Sequence, residues 1–251
     1  MVYICIPARD EAETLGVLLW KIRKVMGEFE RDYRVMVLDD ASSDSTAEVL
    51  ERYRKVLPLT VIRNEEGVGY GRGMEQLLRQ VAEVASYPKR DCAVMLQADF
   101  TEDPEDMVSL VKLLEGGADI VAGCMDRKSD AVPRNRWAAR LLAPVAMRRV
   151  RKRLTVSDPL SGLRAYRVVV LRKALRVRGE DRPLVTSDGW AANVELLGVL
   201  TPHARRVAEL SFSPRFELQT RPSRFRAGKT LLALARLRST SWGEAVVADA
   251  D

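Results

Sequence analysis

Val2-Tyr3-Ile4-Cys5-Ile6-Pro7-Ala8-Arg9-Asp10-Glu11 is an apolar run that stops at an acidic cluster. The same figure returns twice within the first hundred residues. Val35–Leu38 ends in Asp39-Asp40-Ala41-Ser42-Ser43-Asp44-Ser45-Thr46, and Cys92–Leu96 ends in Gln97-Ala98-Asp99. Short runs of β-branched and aliphatic residues, alternating with helical patterns, predict buried parallel strands. In such sheets ligands sit outside the carboxyl ends of the strands. Carboxylates gathered there lose hydration and repel one another unless a cation or hydrogen-bond donors meet them. The pattern predicts a site for a nucleotide with a metal ion.

Between these runs, Glu13–Met26 places Leu15, Leu18, Leu19, Ile22 and Val25 at helical spacing, and Asp44–Val56 does the same with Val49, Leu50 and Tyr53. A third strand is expected at Leu59–Ile62, and a helix after Gly67–Gly73. Another helix is expected from Asp103-Pro104 through Leu114, and a fifth strand at Asp119–Gly123. This alternation predicts an α/β fold, a mostly parallel sheet with helices on both faces. The Gly67–Gly73 run lacks the lysine and spacing of a phosphate-binding P-loop and fits no dinucleotide fingerprint. A turn beneath the nucleotide and direct contact with it are both open readings.

The second half is less regular. Arg134–Leu154 interleaves Trp137, Leu141, Leu142 and Val145 with arginines, and Pro144 should break or kink it. Ser157–Gly162 reads as a loop. Val168–Val177, Gly189–Leu200 and Gly228–Arg238 read as helices, and Val207–Phe212 as a strand.

The 251 residues suffice for a full core. The net charge of +6 hides an asymmetry: residues 1–125 carry −8 and residues 126–251 carry +14. An acidic half would handle a cation, and a basic half a phosphate or an anionic surface; arginine-rich codon usage is the plainer explanation of part of the excess. His203 is the only histidine, which excludes histidine-based triads and multi-histidine metal sites. Cys5, Cys92 and Cys124 lie in or beside apolar runs and read as buried thiols. No apolar stretch approaches the roughly 18–20 residues of a spanning helix. With no basic leader ahead of the first strand, a cytoplasmic location is expected.

The ordered set Pro-Ala-Arg-Asp-Glu, Asp-Asp-Ala-Ser-Ser-Asp-Ser-Thr and Gln-Ala-Asp resembles the family 2 glycosyltransferases of the GT-A fold. Downstream, Val156–Tyr166 is similar to the Ser-Asp-Pro-x-Ser-Gly-Phe-Arg segment of polyprenyl-phosphate sugar synthases of the dolichol-phosphate mannose type. Gly189-Trp190 with Asn193–Leu197, and Arg215 with Ser223-Arg224, extend the likeness. The resemblance implies one GT-A domain over 1–225, with a nucleotide-sugar half (1–125) and an acceptor half (126–225), then an amphipathic helix and tail over 226–251. It implies that Pro7, Ala8, Arg9, Glu11, Asp39, Asp40, Gln97 and Ala98 hold a GDP- or UDP-linked sugar. It further implies that Asp99, with Gln97, binds Mg²⁺ or Mn²⁺. Gln97 stands where the family's first aspartate is expected, so one anionic ligand is missing. Glu102 and Asp103 are close enough to help, but read first as N-terminal charge on the next helix.

The implied reaction is inverting transfer of the sugar to a polyprenyl phosphate at the inner face of the membrane. A cation at Asp99 and nearby arginines would stabilise the leaving diphosphate. An acceptor phosphate, with a second pKa near 6, needs no strong general base. Arg127, Arg136, Arg140, Ser161, Arg215 and Arg224 are the candidates to bind it. Asp158 either joins the catalytic site or caps its loop. For a hydroxyl acceptor a base would be required, and Asp158 or Asp188 would supply it. The basic Arg134–Leu154 stretch reads either as a solvated face or as an interfacial helix on an anionic membrane. No nucleic-acid motif is present. A nucleotide-sugar-binding partner protein that has lost catalysis is the competing reading, motivated by Gln97. A receiver-like signalling domain gives the third acidic strand end no role.

Overall fold

The computed structural model describes residues 1–126, 132–179, 181–219, 225–238 and 242. Seven strands form one sheet in the order β3-β2-β1-β4-β6-β5-β7. They are β1 (Val2–Ala8), β2 (Tyr33–Asp40), β3 (Leu59–Asn64), β4 (Cys92–Met95), β5 (Ile120–Met125), β6 (Arg164–Arg167) and β7 (Val207–Phe212). β1 lies parallel to β2 and β4, in a register that pairs Ala8 with Asp39, so the first two acidic strand ends are neighbours. Among the described residues eight helices flank the sheet: α1 (Ala12–Phe29), α2 (Thr46–Tyr53), α3 (Tyr70–Val84), α4 (Asp106–Glu115), α5 (Arg134–Ala146), α6 (Val168–Arg178), α7 (Trp190–Leu200) and α8 (Ala227–Arg236).

The two-residue alternation of the strands divides the interior into two cores. Tyr3, Cys5, Met36 and Leu38 face a layer built from α3, α5, α6, α7 and α8. Ile4, Ile6, Val35 and Val37 face α1, α2 and α4. Burial on both faces is why these strands are continuous apolar runs, each aliphatic side chain contributing about 1.5–3 kcal/mol.

The sheet is mostly parallel, as the alternation predicts, but β6 runs antiparallel between β4 and β5. Its four residues, Arg164-Ala165-Tyr166-Arg167, carry no apolar run and follow closely on the Ser157–Gly162 loop, so the sequence offers no strand there. Arg164 is nonetheless fully buried, its guanidinium donating to the Asn193 and Pro159 carbonyls. Pro144 lies inside the last turn of α5, where it leaves Arg140 O without its backbone donor, and the helix ends at Ala146 with Met147 N–H donating to Ala143 O. Cys5 and Cys92 are buried free thiols, and burial pushes the Cys92 thiol up to about 12; Cys124 is half-buried. No helix among the described residues is long and apolar enough to cross a membrane.

Candidate active site

The loops that leave β1, β2 and β4 meet at one edge of the sheet, and each contains a non-glycine residue with positive φ: Asp10 (49°), Ala41 (55°) and Phe100 (60°). Left-handed backbone at such residues is costly and concentrates at functional sites. Side chains hold these bends in place. Asp10 N–H donates to Ser42 Oγ (2.9 Å), Glu11 N–H to Thr46 Oγ1 (2.9 Å), and Ser43 N–H to Asp10 Oδ1 (2.7 Å). Asp44 accepts the Thr46 and Ala12 N–H groups. Most of the Ser/Thr/Asp content after β2 therefore laces the first two loops together.

Asp39 and Asp40 have separate tasks. Asp40 Oδ1 accepts from Asn64 Nδ2 (3.0 Å) and Val68 N–H (2.8 Å), and its Oδ2 accepts from Gly69 N–H (2.9 Å). Burial alone would raise its pKa, but these donors outweigh it and hold the carboxyl below its ordinary value. Asp40 thus pins the glycine-rich loop, where Gly69 has φ 88°. Asp39 accepts Ser42 N–H at Oδ1 (3.0 Å), while its buried Oδ2 makes no hydrogen bond and lies 3.6 Å from Arg63 Nε. An unsatisfied buried carboxylate oxygen is costly unless a donor arrives.

After β4, Asp99 Oδ1 accepts from Thr101 N–H (3.2 Å) and Oγ1 (2.6 Å), and Oδ2 accepts from Gln219 Nε2 (2.9 Å). Glu102 accepts Gln97 N–H (2.9 Å), and burial, reinforced by Asp99, pushes its pKa up to about 8. It is a neutral acid at pH 7, not simply charge on the N-terminus of α4. Asp103 does serve that turn, accepting Glu105 N–H and pairing with Arg215.

These groups open onto a cavity of about 590 Å³. One wall carries Pro7, Ala8, Arg9, Glu11, Asp40, Gly69, Gln97, Ala98, Asp99 and Glu102. The facing wall comes from the second half: Arg136 and Arg140 of α5, Ser161 and Gly162, Asp188, Trp190, Phe216, Gln219, Phe225, and Arg226 and Lys229 beside and on α8. Gly162 keeps the cavity open, since a Cβ there would lie 2.5 Å from Gln97 Nε2 and 3.2 Å from the Tyr70 hydroxyl. The Arg136 guanidinium sits 4.4 Å from the Phe216 ring centroid and 5.9 Å from those of Trp190 and Phe225; Arg140 lies 4.4 Å over Trp190. Arg140 Nη1 and the buried Ser161 Oγ have no hydrogen-bond partner among the described residues. A phosphate would satisfy both.

Three expected residues stand back from the cavity wall. Asp39 lies behind it as described. Asp158 accepts from Arg140 Nε and Nη2 (3.3 and 3.2 Å) and from Leu160 N–H, so it orients an arginine and caps its own loop. Arg215 fastens the Phe216–Leu218 turn to the β4 loop through its N–H to Thr101 O (2.8 Å) and its pair with Asp103. Arg127 and Arg224 lie outside the described residues. The aromatic lining, Gln219, Arg226 and Lys229 escaped the sequence reading. Only Trp190, next to Gly189 in the family-like segment, carried a signal.

For Mg²⁺ or Mn²⁺, Asp99 Oδ2 and the Gln97 amide lie together on the cavity wall after β4, and Glu11, Asp40, Glu102 and Asp188 are the other carboxyl groups that line the cavity. Among the described residues no group of three His, Cys, Asp or Glu forms a ready-made cage. That donor set fits a hard cation that arrives on a diphosphate, keeping waters and taking few protein ligands.

The profile of Glycosyl transferase family 2 matches residues 3–175. The chain is 27% identical over 209 residues to the undecaprenyl-phosphate 4-deoxy-4-formamido-L-arabinose transferase of Pseudomonas savastanoi pv. phaseolicola, covering 82% of this chain and 58% of that one. It is 28% identical over 174 residues to the protein of the same name from Edwardsiella ictaluri, covering 69% and 51%. The chain thus spans little more than half the length of these relatives. Among solved structures, glucosyl-3-phosphoglycerate synthase from Mycobacterium tuberculosis, bound to Mn²⁺, UDP and glucosyl-3-phosphoglycerate, aligns with TM-score 0.61 at 20% identity, over 94% of this chain and 76% of that one. S. aureus TarS in complex with UDP aligns with TM-score 0.57 at 16% identity, over 85% and 59%. The shared fold is that of the GT-A glycosyltransferases. With the profile covering most of its length, and the three acidic strand ends converging on one cavity, the chain belongs to glycosyl transferase family 2.

Proposed function

We propose that the protein transfers a sugar, with inversion, from a nucleoside-diphosphate sugar to a polyprenyl phosphate. The observation that carries this is a cavity whose carboxylate wall faces arginines stacked on aromatic rings. The curated relatives, named as undecaprenyl-phosphate transferases, and the UDP-bound neighbours support the two substrate classes.

In this reading the Pro7–Glu11 loop receives the nucleoside, the Glu11 carboxylate accepting from base N–H or ribose hydroxyls. Asp99 and Gln97 hold the cation, which when bound neutralises charge on the diphosphate. Arg136, Arg140 and Ser161 bind the acceptor phosphate, Asp158 keeping Arg140 aimed. An oxygen of that phosphate attacks the anomeric carbon as the bond to the diphosphate oxygen breaks, and the nucleoside diphosphate leaves with the electron pair. No proton need be removed from the acceptor near neutral pH.

The membrane face in this reading is α5. Trp137, Leu141 and Val145 recur every four residues and are exposed, with Leu142 beside them and Arg148, Arg149 and Arg151 just beyond. An exposed apolar stripe edged with arginine fits the headgroup boundary of an anionic bilayer.

The test is incubation with labelled UDP- and GDP-sugars, Mg²⁺ or Mn²⁺, and undecaprenyl phosphate in anionic vesicles. A lipid-linked sugar of inverted configuration is expected. Transfer to a hydroxyl with the lipid inert would overturn the acceptor, and would assign the base to Asp188, which lines the cavity where Asp158 does not.

A further inference from the structure

Gln219 bridges the two walls. Its Nε2 donates to Asp99 Oδ2 (2.9 Å) and its Oε1 accepts from Arg136 Nη2 (3.3 Å). The orientation of the amide is fixed by chemistry, since a carboxylate only accepts and a guanidinium only donates. Its backbone is held in place: Gln219 N–H donates to Phe216 O, and the same turn is fastened by Arg215 to Thr101, the residue that also donates to Asp99.

We propose that Gln219 is a positioning residue that makes donor binding and acceptor binding cooperative. This rests on the proposed function and deepens it. A divalent cation that takes the lone pair of Asp99 Oδ2 now used by Gln219 Nε2 displaces the amide N–H from it. If the amide turns to offer Oε1 to the cation, its NH₂ faces the Arg136 guanidinium, donor against donor. In that turned arrangement the Gln219–Arg136 bond is lost and Nη2 is released to face a phosphate. Linkage makes this reciprocal: a phosphate that takes Arg136 loosens Gln219 and clears Asp99. Arg136 is buried among three rings, so the bond it gives up to Gln219 matters to its availability.

The experiment measures farnesyl phosphate binding calorimetrically, first in EDTA and then with saturating Mn²⁺ and UDP or GDP. It compares wild type, Gln219→Ala and Gln219→Glu, each with its melting temperature. The two bound anions repel, so the coupling is read as the change between wild type and Gln219→Ala. In EDTA, Gln219→Ala should bind farnesyl phosphate about fivefold more tightly than wild type. Gln219→Glu, which pairs Arg136 more strongly, should bind it more weakly. The ratio of affinities with and without Mn²⁺·nucleotide should favour wild type over Gln219→Ala by the same fivefold factor. Opposite shifts from Ala and Glu are not what a merely structural role produces. Equal ratios in wild type and Gln219→Ala, or shifts of the same sign in both variants, overturn the coupling and leave the proposed function standing. Failure of Mn²⁺ with either nucleotide to bind any of the three proteins defeats both.

Discussion

Glu102 is the group whose perturbation tests the electrostatics of the site most directly. Its pKa is pushed up from 4.5 to about 8 by burial first, then by the Asp99 charge. Between those values the folded protein keeps a proton that the unfolded chain has released, so stability falls as pH rises through the window. The slope for one proton is about 1.4 kcal/mol per pH unit, which accumulates to on the order of 4 kcal/mol by pH 8. Glu102→Gln keeps an oxygen to accept the Gln97 N–H but cannot ionise. At pH 5 the two proteins should differ by about 1 kcal/mol or less. At pH 9 the variant should be the more stable by roughly 4 kcal/mol, or roughly 10 °C in Tm for a chain of this size. Asp106, raised to about 6, adds to the Glu102 shift through its charge, so part of its titration moves with Glu102; His203, lowered by burial, titrates in both proteins and cancels in the difference. The assay is thermal and urea unfolding in EDTA from pH 5 to 9. Parallel stability curves for wild type and variant would refute the argument that Glu102 is held as a neutral acid.

Restoring a second carboxylate with Gln97→Asp should tighten Mn²⁺ binding in the presence of nucleotide by about tenfold, or ~1.4 kcal/mol, and raise the Glu102 pKa further; titration calorimetry reads the first. Gly71→Ala would set a Cβ 2.3 Å from Ser187 O and 3.0 Å from Ala192 Cβ, and should cost about 2 kcal/mol in denaturant unfolding. Because Gly71 N–H also donates to Asp188, turnover should fall with it. Arg140→Ala should raise the acceptor KM at unchanged donor affinity, and Asp158→Asn should do the same more mildly, since it releases Arg140 without removing it. Replacing Trp137, Leu141 and Val145 with serine should abolish co-sedimentation with anionic vesicles while Tm falls only a little, because each of the three is half or more exposed.

The carboxylate wall was legible in the sequence because a parallel strand advertises its own end: an apolar run buried on both faces must stop where the polar residues begin. β1, β2 and β4 obey this, and their loops meet as expected. The facing wall obeys no such rule. β6 is four residues long with a buried arginine, so its pattern is that of a loop. Phe216, Gln219 and Phe225 come from irregular chain that reaches the cavity only because Arg215 ties it to Thr101 and Asp103. That tie joins residues more than a hundred positions apart, which no local periodicity encodes. Glu102 was visible, but its burial, and hence its neutrality, depends on the β4–β6 pairing that brings Leu163 and Gly162 against it. The Asp-Asp pair after β2 shows the reverse failure. Two adjacent carboxylates read alike in sequence, yet one pins a loop and the other keeps a buried oxygen without a donor.

The basic excess of the second half divides in the same way, and the division bears on function. Arg167 donates to the Ala118, Lys89 and Leu114 carbonyls, and Arg172 to those of Ala82 and Ala85. These arginines cap helix ends and loops, a task to which arginine's several donors suit it whatever the substrate. Arg136 and Arg140 are different: aromatic faces, with Gln219 and Asp158 as hydrogen-bond partners, hold them at the cavity, where a neutral packing partner would have been cheaper to bury. A charge of +14 counted along the sequence therefore overstates the anion site and says nothing of where it lies. What places it is that Arg136, buried, and Arg140, half-buried, line the cavity with Glu11, Asp40 and Asp99, an arrangement that under the proposed function takes a diphosphate with its cation on one side and a phosphate on the other.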